Sequence, residues 1–155
     1  MGRVDERLAE LGLTLPEVAK PLAAYVPAVR SGSMVWTSGQ LPMVSGSLAE
    51  TGKVGDGEGH VPPDRAKELA RTCALNALAA VKAEVGDLDD VRVVKVVGFV
   101  ASDPAFTGQP GVINGASELL REVLGDSGVH ARSAVGVAVL PLDAPVEVEI
   151  TVQVG

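Results

Sequence analysis

The chain has few of the residues from which disulfides and metal centres are built. Its 155 residues include a single cysteine, Cys73, which excludes an internal disulfide and a cysteine-based metal cluster. The two histidines, His60 and His130, lie far apart and have no partner at a metal-ligand spacing, so we expect no resident metal. Cys73 lies in a helical pattern, which predicts a small buried side chain and suits a reducing compartment.

Aromatic and basic side chains are also scarce. Aromatic residues make up 3% of the chain, the formal net charge is −7, and the 13 lysines and arginines are scattered. Binding of a nucleic acid needs a concentrated basic surface, and single strands also need aromatic rings on which bases stack. Nucleic acid is therefore not expected as the main partner.

Long apolar runs are absent as well. No stretch is long enough to span a bilayer. The first residues, MGRVDERLAELG, are charged and amphipathic, and they lack the apolar segment of a signal peptide. We expect no membrane association and a cytoplasmic protein.

The chain does contain apolar residues, 46% of the total, in regular patterns. They suffice for one domain, residues 1–155, with a core of its own. The patterns predict an N-terminal helix at 4–11 and a hairpin formed by strands 22–29 and 34–39. A long helix at 62–85, a strand at 91–101 and a second helix at 112–124 follow. Two final strands are predicted at 129–139 and 146–154. Residues 44–60, rich in glycine, serine and acidic side chains, are interpreted as a flexible surface loop.

This order of elements predicts an α+β fold, with two main helices on one face of a mixed sheet. Residues 91–101, VRVVKVVGFVA, are apolar on both faces, which is typical of a central strand that is covered twice. A domain with so few helices has difficulty covering both faces of its sheet. Another subunit is one candidate for the second cover.

Residues 129–154 hold two strands with contrasting faces. From Val146 onward, apolar and polar residues alternate almost without fault, which indicates one buried face. In the preceding strand Arg132 heads a row of very small residues, Ala134, Gly136 and Ala138. Such a row leaves its backbone uncovered, so another element or a ligand must approach it closely.

Arg132 and Glu147 are the candidate functional pair in this region. A guanidinium next to small residues can hold a carboxylate through two parallel hydrogen bonds. A glutamate on the neighbouring polar row can orient or deprotonate a water molecule. The alternative is a salt bridge between two sheet residues, since charged pairs are common on sheets. The residues alone leave both interpretations open.

Several motifs, in the right order, resemble the RidA/YjgF family of reactive-intermediate deaminases, also called endoribonuclease L-PSP-like. The C-terminal motif reads Arg-Ser-Ala-Val-Gly-Val-Ala-Val-Leu-Pro at 132–141, followed by Val-Glu-Val-Glu-Ile at 146–150. An earlier motif has Tyr25 and then Thr-Ser-Gly-Gln-Leu-Pro at 37–42, and the asparagine of the family's second helix falls on Asn114. The resemblance covers roughly residues 21–154.

The resemblance implies a chorismate-mutase-like fold and a homotrimer, in which three sheets form a central barrel with small-molecule clefts between subunits. It implies cofactor-free hydrolysis of small 2-imino or enamino carboxylates to 2-keto acids and ammonia, as protection against damaging metabolites. In that reading Arg132 and Glu147 are catalytic, Arg132 by holding the substrate carboxylate and Glu147 by positioning water. The implied substrate-binding residues are Tyr25, Ser38, Gly39, Asn114, Ser133 and Ala134.

The chain departs from the family pattern in three ways. It has an N-terminal helical extension at 1–20 and a longer loop at 44–60, so it resembles a longer subgroup of about 150 residues. Ala134 stands where many deaminating members have a cysteine, although its backbone N–H can still bind an anion. His130 precedes Arg132 by two residues and either lines the cleft or faces solvent.

Two other functions compete with deamination. The first is a non-catalytic trimer that binds a small carboxylate, for which Arg132 serves equally well. The second is endoribonuclease or translation-inhibitor activity, which is the least favoured because the chain is acidic and has no basic patch.

Overall fold

The computed structural model describes residues 1–18 and 24–155. Within these ranges the predicted helices and strands are present in the predicted order. The helices are α1 (Arg3–Glu10), α2 (Pro63–Val85) and α3 (Gln109–Leu124), and the strands are β1 (Ala28–Ser31), β2 (Met34–Thr37), β3 (Met43–Val44), β4 (Ser47–Leu48), β5 (Val91–Ala101), β6 (Ala131–Val137) and β7 (Val146–Val154). Short 3-10 turns follow α3 and precede β7, at Gly125–Gly128 and Pro141–Asp143.

Five strands form one mixed sheet in the order β1-β2-β7-β5-β6. All neighbours are antiparallel except β5 and β6, which are parallel because α3 connects them. The hairpin of β1 and β2 confirms the prediction, and β1 lies at the sheet edge. The prediction that this strand extends back to residue 22 is wrong for residues 24–27, because Pro27 has no N–H to donate and the strand begins after it. Residues 22 and 23 lie outside the described ranges.

Helices α2 and α3 cover one face of this sheet, as predicted. The face is built by Val146, Val148, Ile150 and Val152 of β7, all of which are buried. The two helices pack closely at Gly115, where an added Cβ would lie 2.0 Å from the carbonyl oxygen of Lys67. A glycine is therefore required at this crossing.

The buried face of α2 includes Cys73. Burial raises the pKa of this thiol well above its usual value, and the negative charge of Glu147 raises it further. The Sγ atom lies 3.9 Å from the carbonyl oxygen of Val146. Cys73 is thus the small buried side chain that the sequence predicts, and it is inert rather than reactive.

Helix α1 packs on α2 and α3 through Val4 and Leu8, which are both buried. The carboxylate of Asp89 accepts hydrogen bonds from the backbone N–H groups of Arg3 and Val4, at 2.8 Å each, and so caps this helix from a distant turn. Both bonds lower the pKa of Asp89, and the bond from Val4 has the larger effect. The other end of the chain reaches the same turn, where the N–H of Gly155 donates to the carbonyl of Asp90 at 3.2 Å.

The stretch 44–60 is not a featureless surface loop. It begins with the small hairpin of β3 and β4, and its second half is anchored by Val54, which is fully buried. The N–H of Val54 donates to Ala101 at 2.7 Å, and its carbonyl accepts from the N–H of Asp103 at 2.9 Å. This anchor was not predicted, because a single valine among glycines carries no periodic pattern. The flexibility of the remaining loop stays a prediction.

We predict that Val54→Ala destabilises the fold, whereas Val44→Ala does not. Removing the buried methyl groups at position 54 lowers the free energy of unfolding by about 2 kcal/mol. Val44 is 57% exposed in the same loop and serves as the matched control. Urea unfolding curves of both variants check this. Equal midpoints for Val54→Ala and the wild type would show that the loop detaches without cost.

Candidate active site

Arg132 lies on the edge strand β6, and its side chain is on the face covered by α3. In the parallel register it is opposite Val96, which is fully buried on the helix side of β5. Its Nη1 donates to Asn114 Oδ1 at 2.7 Å and to Ser117 Oγ at 3.2 Å, and its Nη2 donates to the carbonyl oxygen of Pro110 at 3.3 Å. Three acceptors from one helix therefore hold the guanidinium.

These acceptors share one side of α3 because they are spaced by four and three residues along the helix. Pro110 contributes a backbone carbonyl in the first turn, and Asn114 and Ser117 contribute side chains from the next turns. Asn114 is predicted from the family motif. Ser117 was not predicted, because its only signal is its position three residues after Asn114.

His130 extends this network. Its Nε2 lies 2.8 Å from Ser117 Oγ, and its Nδ1 lies 2.6 Å from the carbonyl oxygen of Gly128. Both ring nitrogens are thus engaged, and the side chain is half-buried. The interpretation of His130 as a solvent-facing residue is wrong. Instead, it contacts the serine that holds Arg132.

Another element closely approaches the row of small residues after Arg132, as predicted, but Gly136 and Ala138 stay exposed. At Gly136 an added Cβ would lie 2.8 Å from the side-chain Nε2 of Gln109, in the first turn of α3. Ala134, opposite Gly98 in the register, packs against the core. Ser133 lies on the opposite face of the strand, where its Oγ accepts a hydrogen bond from Lys95 Nζ at 3.3 Å.

Glu147 lies on the face of the sheet that the helices leave open. It follows Val146 in β7 and is opposite Phe99 of β5, and its side chain is half-buried. The carboxyl group lies against Gly39, where an added Cβ would be 2.7 Å from Glu147 Cδ. Glycine at position 39 therefore makes room for this carboxyl group. Partial burial, and then the charge of Glu149, raise the pKa of Glu147.

Of the three remaining candidates, Gly39 contacts Glu147, whereas Ser38 precedes Gly39 in sequence and Tyr25 lies in the segment before β1. Ser38 Oγ donates to the carbonyl oxygen of Val26 at 2.6 Å, which ties the segment after β2 to the segment before β1. Tyr25 lies next to that carbonyl in sequence and is 54% exposed. Its phenol is therefore available to a ligand or to another chain.

Within one chain the candidate residues form two separate groups. Arg132 and Asn114 are on the helix side of the sheet, whereas Glu147 and Gly39 are on the open side. Strand β5 also lies between β6 and β7, which separates the strands of Arg132 and Glu147 by about 10 Å. Among the described residues no ion pair joins Arg132 to Glu147, so the salt-bridge interpretation is wrong.

A cavity of about 410 Å³ opens beside Asn114. It lies between the first turns of α2 and α3. Its walls include Phe106 and Val112 together with the charged residues Asp56, Asp64 and Lys67. The arginine group thus has a neighbouring space large enough for a small molecule.

The chain is an α+β layer that carries a guanidinium held by α3 on one face of its sheet and the carboxyl group of Glu147 on the other. The model of the family described as "YjgF/chorismate_mutase-like, putative endoribonuclease" matches residues 5–153. The chain belongs to this YjgF family.

Relatives with named descriptions support the same assignment. The chain is 45% identical to the protein TCP17 of Trypanosoma cruzi, over 98% of this chain and 94% of that protein. It is 31% identical to a 2-iminobutanoate/2-iminopropanoate deaminase of Dermatophagoides farinae, over 88% and 91% of the two chains. The structure is similar to that of Atu1372 from Agrobacterium tumefaciens, a protein of unknown function, with a TM-score of 0.89, 49% identity and coverage of 98% and 92%.

No helix in the described ranges has the length and apolar character needed to cross a membrane.

The raised pKa of Glu147 predicts a pH-dependent effect of Glu147→Gln on stability. The pKa of Glu147 is higher in the folded protein than its ordinary value of 4.5. Its contribution to folding stability is therefore greatest below pH 4.5 and is lost as the pH rises through the pKa of the folded state. At pH 7 the wild type therefore carries an unfavourable carboxylate that glutamine lacks. We expect Glu147→Gln to melt at a higher temperature than the wild type at pH 7, and at nearly the same temperature at pH 4. Thermal scans at both pH values check this, and an equal gain at both would contradict it.

Proposed function

We propose that this protein hydrolyses small 2-imino and enamino carboxylates to 2-keto acids and ammonia, without a cofactor. The observation that carries the proposal is the guanidinium of Arg132, which α3 holds through three acceptors while part of it stays available. The family membership and the 31% identical deaminase support this type of reaction. The proposed site residues are Arg132, Glu147, Tyr25, Ser38, Gly39, Asn114, Ser133 and Ala134.

The proposed reaction needs an anchor and a group that moves protons. Arg132 holds the substrate carboxylate, which positions the imine carbon next to it. Water attacks the carbon of the protonated imine and gives one proton to the Glu147 carboxylate, while the carbon–nitrogen π electrons move to nitrogen and a neutral carbinolamine forms. Glu147 then gives this proton to the amino nitrogen. As the carbon–nitrogen bond breaks and the ketone forms, the carbinolamine hydroxyl gives its proton to the Glu147 carboxylate, which passes it to the departing ammonia and leaves ammonium and a 2-keto acid. The raised pKa of Glu147 suits both accepting and returning this proton.

The two groups can meet on one substrate only if they come from different copies of the chain. Arg132 and Glu147 are on opposite faces of one sheet, whereas a small carboxylic acid is only a few ångströms long. We propose a homotrimer in which Arg132 of one subunit and Glu147 of its neighbour line the same cleft. Three copies related by rotation form three equivalent sites of this kind.

The open face of the sheet has the composition of a subunit interface. Trp36, Val29 and Val135 are 45%, 53% and 43% exposed, although they lie on regular strands. Phe99 and Val97 of the central strand are on the same face and are only half-buried. An apolar surface of this kind supports association with another copy. In the proposed trimer, another copy covers the second face of residues 91–101.

A non-catalytic carboxylate-binding protein is the second candidate. The specific observation that favours it is the separation of the two groups. The arginine site alone, with Asn114 and Ser117, is sufficient to hold a carboxylate. Binding therefore needs fewer conditions than turnover, and only a rate measurement distinguishes the two functions.

The first test of the proposed function replaces Arg132. Lysine keeps the charge but loses the planar fork of donors, and alanine loses both. Losing a charge-assisted contact in a desolvated site costs about 2–5 kcal/mol, which is about a 30-fold to several-thousand-fold loss of affinity. We expect Arg132→Lys and Arg132→Ala to abolish imine hydrolysis. The assay measures release of keto acid and ammonia from imines generated by an amino-acid oxidase, with and without the protein.

The matched control is Arg121→Lys, because Arg121 is an exposed arginine on α3, away from the open face of the sheet. We expect this variant to keep wild-type activity. The melting temperatures of all variants should stay close to that of the wild type. If Arg132→Ala unfolds the chain, or if Arg132→Lys remains fully active, Arg132 is a structural residue and the assignment is wrong.

The second test addresses the shared site. Sedimentation equilibrium should give three times the chain mass of 15.8 kDa. Arg132→Ala and Glu147→Gln subunits, each inactive alone, are then unfolded, mixed in equal amounts and refolded. Random assembly creates an intact site at about a quarter of the interfaces, so about a quarter of wild-type activity returns. A monomer, or a mixture that stays inactive, would refute the intersubunit site.

A further inference from the structure

We infer that Ser117 and His130 act as a pair of positioning residues that determine which edge of the Arg132 guanidinium faces a carboxylate. The inference rests on the proposed function, since it concerns the anchor of that site. Its basis is a continuous chain of contacts from Gly128 through His130 and Ser117 to Arg132.

The direction of each hydrogen bond in this chain follows from the chemistry of its ends. The carbonyl of Gly128 can only accept, so Nδ1 of His130 carries the proton that it receives. In the neutral ring Nε2 is then an acceptor, and the hydroxyl of Ser117 donates to it. With its proton directed at His130, Ser117 has its oxygen lone pairs free to accept from Nη1 of Arg132.

The contacts of Nη1 decide which edge of the guanidinium remains available. This nitrogen has two N–H bonds and contacts two acceptors, Asn114 and Ser117. With one N–H assigned to each acceptor, Nη1 has none left for a carboxylate across the Nη1–Nη2 edge. The other two-donor edge consists of Nε and Nη2. Nη2 uses one N–H for the carbonyl of Pro110, and no acceptor contacts Nε among residues 1–18 and 24–155.

The structure therefore assigns the Nε–Nη2 edge of Arg132 as the edge that binds the substrate carboxylate. Without Ser117 one Nη1 hydrogen loses its partner, and the guanidinium can turn about its last bonds and present either edge. A carboxylate held at the wrong edge moves the imine carbon away from Glu147. Ser117 and His130 thus act through Arg132 and do not need to touch the substrate.

The test compares Ser117→Ala and His130→Ala with their conservative counterparts. Ser117→Thr keeps a hydroxyl, and His130→Gln keeps an acceptor that can face Ser117. The matched control is Thr72→Ala, because the Thr72 hydroxyl contacts only the carbonyl of Glu68 in its own helix. Three quantities are measured on each full-length protein: the nitrogen-15 NMR signals of the Arg132 side chain, the affinity for pyruvate, and kcat and KM for imine hydrolysis.

In the wild type we expect separate Nη1 and Nη2 signals, because a held guanidinium rotates slowly, and a His130 ring with its proton on Nδ1. Ser117→Ala should merge the Nη signals and weaken pyruvate binding about tenfold, as expected for loss of one hydrogen bond to a charged group. The same variant should raise KM and lower kcat. His130→Ala should have a smaller effect of the same kind. Ser117→Thr and His130→Gln should recover most of the loss, and Thr72→Ala should match the wild type.

The outcomes separate this inference from the proposed function. If the wild type hydrolyses no imine, the proposed function fails, while the NMR signals and pyruvate affinity still decide whether Ser117 and His130 position Arg132. If Ser117→Ala and His130→Ala both leave the Nη signals and the pyruvate affinity unchanged, the positioning role is refuted whatever the activity. A lower melting temperature with unchanged KM and unchanged affinity would likewise refute it, because only a structural role would remain.

Discussion

The alternation of side chains along β-strands is the constraint on which the other properties of this site depend. Val96 of β5 and Arg132 of β6 share the helix side, whereas Phe99 and Glu147 share the open side. A shift of either register by one residue would move every side chain of that strand to the other face. The positions of Arg132 and Glu147 are thus set by the same pattern that buries Val146 and Val148. The geometry of the proposed site and the packing of the core cannot be changed independently in these strands.

The elements that the sequence predicts well are those with strong periodic signals. Strand β7 and helix α2 have long, regular apolar faces, and their observed bounds agree with the prediction. The anchored Val54 and the start of β1 were missed because both depend on single residues in irregular backbone. No periodicity exists there, and only the tertiary contacts of those residues show their role.

The candidate site also contains some residues that the sequence predicts and others that it does not. Arg132, Asn114 and Glu147 were predicted as site residues because their motifs resemble those of a known family, and the same resemblance implies a small carboxylate as the ligand. The contact between Ser117 and His130 could not be predicted. Ser117 is distant from His130 in the sequence, and serine on a helix has no pattern of its own. Likewise, no sequence pattern shows that Arg132 and Glu147 lie on opposite faces, because this follows from the parallel pairing of β6 with β5.

The turn at Asp89 and Asp90 brings the two described ends of the chain to one place. Asp89 binds the backbone of Arg3 and Val4, and the carbonyl of Asp90 accepts from Gly155. A short glycine-rich linker could therefore join residue 155 to the start of the chain without crossing the sheet. New termini could open at the exposed glycines between Val54 and Val61. The order in which the chain connects these elements could therefore change without changing how they pack. A circularly permuted chain would retain both faces of the sheet.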